Sequence, residues 1–173
     1  MSKSLLKISL FALIVSIGFS LLSFKQGTVW LDKGHNETTE KKGVYYRPAP
    51  QKKKNNYFII DYYRNGNKYR EGSSKYATAN EENFKGVVKY YHRNGLVSKK
   101  EKYKRGLLNG VYAEYFLSGE LKVDGKYEDG KKSGIWKIYY KSGKIKSKGK
   151  YRDGEKVGVW KTFYKNVYYP DDE

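Results

Sequence analysis

The sequence predicts an all-β protein: one elongated antiparallel β-meander of ~24-residue hairpin repeats, preceded by an N-terminal hydrophobic helix. Three observations predict it. First, Gly86-Val87-Val88, Gly110-Val111-Tyr112, Gly134-Ile135-Trp136 and Gly158-Val159-Trp160 open successive units at a constant spacing of 24 residues. Second, the register holds inside the unit, where Tyr103, Tyr127 and Tyr151 recur together with Gly95, Gly119 and Gly143 and with Gly106, Gly130 and Gly154. Third, 19 tyrosines, 7 phenylalanines and 3 tryptophans weight the composition towards residues that favour strands.

Within the unit from Gly134 to Gly158, Ile135 to Tyr140 is β-branched or aromatic except at Lys137. Lys141-Ser142-Gly143 then supplies a turn whose glycine can take positive φ. Lys144 to Tyr151 alternates, with Ile145, Ser147, Gly149 and Tyr151 on one side and Lys144, Lys146, Lys148 and Lys150 on the other, as expected of a strand with one wet face. Arg152-Asp153-Gly154 turns the chain back, as Glu128-Asp129-Gly130 does one unit earlier. Each unit is therefore a hairpin, and its turn glycines are Gly95, Gly106, Gly119, Gly130, Gly143 and Gly154. Parity makes the first strand of each unit apolar on both faces, and Gly125 and Gly149 are expected to leave room for a neighbouring ring. About nine strands follow.

The remaining segments are less regular. Lys3 and Lys7 precede the uncharged stretch Ile8 to Phe24, so residues 1–25 are a signal peptide, cleaved near Gly18-Phe19-Ser20, or a retained membrane anchor. Either reading places the repeats outside the cytoplasm. Residues 26–56, with Pro48, Pro50 and Lys52-Lys53-Lys54, read as a polar stalk in which 44–47 is expected to pair with the sheet as a capping strand. The repeat domain covers 57–167. Tyr62 aligns with Tyr91, five residues beyond the regular spacing, so an insertion lies between Glu71 and Gly86, with Ser73, Ser74, Thr78 and Asn80 in a loop. The array is expected to end where Val167 replaces the turn glycine and Pro170 follows, leaving 168–173 as an acidic tail.

Two stretches, Tyr127 to Trp136 and its copy Tyr151 to Trp160, resemble the MORN-repeat variant. The Tyr-x-Asn-Gly or Tyr-x-x-Gly element that follows is similar to bacterial YwqK-type antitoxin components of toxin–antitoxin systems. This resemblance covers about 57–166. It implies an antitoxin-like protein that binds a partner protein such as a toxin through its extended sheet; with the N-terminal segment, the expectation is a membrane-tethered or exported binding protein rather than an enzyme.

The residues themselves offer little chemistry. With no cysteine, disulfides, thiolate catalysis and Cys-type zinc sites are excluded, as is a lipid attached through cysteine. Of the two histidines, His92 occupies the slot of Phe116 and Tyr140 and is read as a packing residue. Asp129 and Asp153 precede turn glycines, where aspartate serves the backbone. No catalytic residue, metal ligand or cofactor is expected.

Surface charge is the remaining signal. The net charge is +18, and residues 86–166 carry 21 Lys/Arg against 8 Asp/Glu, so the repeats themselves are basic. Lys122, Lys126, Lys146, Lys148 and Lys150 share one parity of successive second strands, and Lys100 and Lys102 extend the row. Two readings stand. The row is a solvated face that keeps a long sheet soluble, or it is a docking surface for an acidic protein, anionic lipid or envelope polymer. Export argues against nucleic acid. The competing site is the aromatic face of the first strands, formed by Tyr112, Phe116, Trp136, Tyr140, Trp160 and Tyr164.

Overall fold

The computed structural model describes residues 27–164, and the expected N-terminal helix, Val167, Pro170 and the acidic tail lie outside them. Strands follow in the order β1 (Val29–Leu31), β2 (Glu37–Thr38), β3 (Tyr45–Arg47), β4 (Gln51–Lys53), β5 (Asn56–Tyr63), β6 (Lys68–Ser74), β7 (Phe84–Tyr91), β8 (Val97–Lys104), β9 (Leu107–Tyr115), β10 (Leu121–Glu128), β11 (Lys131–Tyr139), β12 (Ile145–Arg152) and β13 (Glu155–Thr162). They form one antiparallel 13-stranded sheet, in which β5 to β13 pair in sequence order as a meander. The sheet continues from β5 through β3 and β1 to β2, with β4 pairing on β5. The protein is all-β; among the described residues the only helix is the 3₁₀ turn Ala79–Glu81, and none is long and apolar enough to cross a membrane.

Two kinds of turn alternate along the meander. Arg105-Gly106, Asp129-Gly130 and Asp153-Gly154 have positive φ at both residues, giving two-residue turns whose twist matches that of the strands. The other ends use three-residue loops. Tyr140 donates its N–H to the Lys144 carbonyl at 2.8 Å and Gly143 donates to the Tyr140 carbonyl at 2.9 Å, with φ +81° at Gly143. A valine at Gly143 would have to adopt a conformation costly for a β-branched residue, whereas Ser142 has an ordinary φ. Gly143→Val is expected to lower the thermal midpoint well below that of Ser142→Ala; equal midpoints would overturn the turn assignment.

Strand alternation is interrupted at two recurring places. Asp124 pairs with Lys137 and Lys126 with Ser133, so Gly125 faces the three residues Gly134, Ile135 and Trp136. The same three-against-one arrangement places Gly158, Val159 and Trp160 opposite Gly149. Positive φ at Gly134 (+69°) and Gly158 (+66°) makes these bulges possible. The bulge lays each tryptophan flat on the opposing glycine: an added Cβ at Gly125 would lie 2.3 Å from Trp136 Cδ2, and one at Gly149 2.2 Å from Trp160 Cδ2. It also pushes the preceding aliphatic residue outward. The first strands, read as apolar on both faces, thus bury only one of them: Val87, Val111, Ile135 and Val159 are 47, 64, 55 and 81% exposed.

The other face carries the packed aromatic spine. Tyr112, Tyr127, Trp136, Tyr151 and Trp160 follow one another with ring centroids 5.2–5.7 Å apart. The Lys132 ammonium lies over the Trp136 ring at 4.4 Å and that of Lys156 over Trp160 at 4.5 Å, cation–π contacts that cap the indoles. Towards β5 the spine passes into the buried cluster of Ile59, Phe84 and Val88.

Residues 27–56, expected as a stalk, contribute four strands to the sheet. Tyr45 and Tyr46 pair with Tyr63 and Tyr62, and Tyr45 stacks on Tyr69 at 4.0 Å. Ser73 and Ser74 belong to β6 rather than to the insertion loop. The Ser74 hydroxyl accepts from the Tyr76 and Asn83 amides at 3.2 and 3.0 Å and closes the base of that loop. From there Glu82 reaches over the aromatic face into a buried ionic cluster. Asp61 accepts from Arg47 Nε at 2.6 Å and from Arg70 Nε at 2.9 Å, and Glu82 accepts from Arg70 Nη1 at 3.0 Å and from Arg47. Two guanidinium groups thus meet two carboxylates. Burial lowers the Arg47 pKa, but hydrogen bonding and charge from Asp61 and Glu82 outweigh it and raise it above the ordinary value.

Candidate binding face

The register across the sheet assembles the lysine row. On the face opposite the spine, Lys89, Lys100, Ala113, Asp124, Lys137, Lys148 and Lys161 lie side by side in successive strands. The neighbouring row alternates aliphatic and cationic residues, with Val87 beside Lys102, Val111 beside Lys126 and Ile135 beside Lys150. Side chains two positions apart on a strand are separated by about 7 Å, so both rows present one continuous surface.

Five of the seven predicted lysines share this surface: Lys100, Lys102, Lys126, Lys148 and Lys150. Lys122 and Lys146 are taken out of the row. A one-residue bulge after each three-residue turn sets Leu121 opposite Tyr115 but Val123 opposite Glu114, leaving Lys122 unpaired in the ladder. Lys122 Nζ then reaches Glu114 on the spine face at 2.6 Å. Lys146 occupies the matching bulge between Ile145 and Ser147, and its ammonium lies 5.7 Å from the Tyr140 ring centroid. Ile145 joins the lysine face, opposite Tyr139. Strict alternation through Lys144–Tyr151 is corrected accordingly.

The predicted aromatic site divides. Trp136 is 3% exposed, and Tyr112 and Trp160 are half-buried members of the same spine, so these rings are occupied in packing. Tyr140 donates its hydroxyl to the Phe163 carbonyl at 2.8 Å, and His92 Nε2 lies 3.2 Å from the Tyr115 carbonyl, each joining one turn to the next unit. His92 is thus a hydrogen-bonding partner as well as a packing residue. Phe116 occupies the same slot without a polar group, and Tyr164, 84% exposed, lies beyond β13.

Electrostatics on the lysine face change along its length. Near β6, Glu71 accepts from Lys68 at 2.7 Å and from the Tyr91 hydroxyl. Burial alone would raise the Glu71 pKa, and these bonds bring it below the ordinary value. Tyr139, its ionisation disfavoured by burial and by its 3.0 Å bond to Asp124, is held above the usual phenol range. Towards β13, Lys148, Lys150, Arg152 and Lys161 have no ion pair among the described residues and, with Ile135 and Val159, line a groove of about 640 Å³. Sequence reasoning missed the aliphatic half of this groove, because nothing in the alternation marks a bulge except the glycine before it. Among the described residues, no three His, Cys, Asp or Glu side chains are placed to hold a metal ion.

No family model matches the chain, and no curated protein matches its sequence.

Proposed function

We propose that this chain is a non-catalytic binding protein, exported or membrane-tethered through residues 8–24, whose lysine face docks an acidic protein. One observation carries the proposal. The exposed aliphatic residues Val87, Val111 and Ile135 are held out of the core beside lysines that lie in register, and Val159 is exposed on the edge strand β13. A face needed only for solubility gains nothing from such side chains, and apolar patches set among charges are characteristic of interaction surfaces. Lysines steer an acidic partner, and the aliphatic ridge supplies buried area on contact. On the resemblance to MORN-type and YwqK-type chains the partner is a toxin, so an exported toxin encoded beside this chain is the specific form the proposal takes.

The test uses capture from envelope extract at low and high salt, followed by binding of the captured acidic protein in purified form. Lys148→Glu/Lys150→Glu is expected to abolish the salt-sensitive part of binding, since exposed charges are screened beyond roughly 8–10 Å. Ile135→Asp is expected to weaken binding at both salt concentrations. Wild-type binding by both variants, with folding intact, would return the face to a solubility role. Capture of anionic vesicles with no protein partner would replace the acidic protein with a lipid surface.

A further inference from the structure

A second basic concavity lies at the end of the sheet where the two-residue turns are. Lys75, Lys85, Lys102, Lys104 and Arg105 line a groove of about 880 Å³, and no acidic residue lines it. Asn55 and Asn83 add amide groups, from the β4–β5 turn and the insertion respectively. Neither of those elements recurs along the array, so only here do they wall the lysine face into a groove. Asn109 also lines it, its amide donating to Asp129 at 2.7 Å.

The five cations have no ion pair among the described residues. Elsewhere Lys68, Lys99, Lys122 and Lys126 each hold a carboxylate within 2.8 Å. Lys75 also lies 5.1 Å from the Tyr76 ring centroid. Like charges gathered without a counter-ion raise one another's potential, and a ligand that brings several negative charges at once relieves all of them. The groove near β13 differs in carrying the branched side chains Ile135, Val157 and Val159, whereas here the apolar groups among the lining residues are Tyr103 and the lysine stems. Cations with amide donors suit a polyanion, and Lys and Arg hold phosphate oxygens through charge-assisted hydrogen bonds. The volume is that of a small-ligand site. A single phosphate would leave most of the cations unmatched.

We propose that this groove binds a free, water-soluble oligophosphate. The site is separate from the docking surface, although Lys102 borders both. Calorimetric titration of the full chain with inorganic tripolyphosphate is expected to show one saturable site per chain. Lys85→Ala/Lys104→Ala is expected to weaken it at least about tenfold, while Lys148→Ala/Lys150→Ala binds as the wild type does. Circular dichroism establishes that both pairs are folded. Absence of binding, several equivalent sites per chain, or equal losses in the two variant pairs would each overturn the proposal. None of those results bears on capture of an acidic protein through Lys148, Lys150 and Ile135, so the two readings fail separately.

Discussion

Asp61→Ala is expected to cost about 3–5 kcal/mol and to lower the thermal midpoint by about 10–20 °C. Asp61 is fully buried, with Arg47 and Arg70 1 and 4% exposed beside it. It receives hydrogen bonds from both guanidinium groups, Nε of Arg47 at 2.6 Å and Nε of Arg70 at 2.9 Å. Removing it leaves two buried cations to share Glu82, which is itself held on a loop. The expense lies in stranding charge rather than in losing attraction, since the intact cluster offsets its own desolvation only by being complete. A triple replacement, Asp61→Ala with Arg47→Met and Arg70→Met, is therefore expected to be more stable than Asp61→Ala alone. Thermal denaturation followed by circular dichroism decides the matter. An unchanged midpoint for Asp61→Ala would show that the cluster is not an energetic unit.

That cluster was hidden from the sequence for a physical reason. Arg47 lies in a stretch without periodicity, Glu82 lies in the insertion, and only Asp61 and Arg70 occupy positions of the array. Nothing in the linear order says that four charges from four segments meet inside. The meander from β5 to β13 was legible because a spacing of 24 residues fixes turns, strand lengths and face at once. Of the four strands before it, only β3 was legible, from the strand-like run at 44–47 that pairs with β5; β1, β2 and β4 were not, because each has only two or three residues, too few for alternation to appear. On the binding face, the period placed Lys100, Lys102, Lys126, Lys148 and Lys150 correctly. It misplaced Lys122 and Lys146, since a bulge inserts one residue and shifts parity without leaving a residue type of its own. Exposure of Ile135 and Val159 was equally invisible, although Gly134 and Gly158, recurring at a position where no turn was needed, were its trace.

Those bulge glycines bear on the second large effect. Gly125→Ala is expected to destabilise the protein by about 1–3 kcal/mol, although alanine has the better intrinsic preference for an ordered backbone. Gly125 does not have a positive φ, so conformational strain cannot be the cause. Contact is: the added Cβ would lie 2.3 Å from Trp136 Cδ2 and 2.4 Å from Cε2. The indole cannot tilt away easily, because Tyr112 and Tyr127 pack on it at 5.3 and 5.2 Å and its Nε1–H donates to the Lys126 carbonyl at 3.2 Å. Trp136→Ala alone is expected to cost about 3–5 kcal/mol through the cavity it leaves. If the clash is with the ring, Gly125→Ala loses its penalty in the Trp136→Ala background, and the double variant is no less stable than Trp136→Ala alone. Denaturant midpoints for the four proteins measure that coupling directly. Strict additivity would mean that Gly125 is required by the strand for another reason, and that the indole does not rest on its backbone in solution.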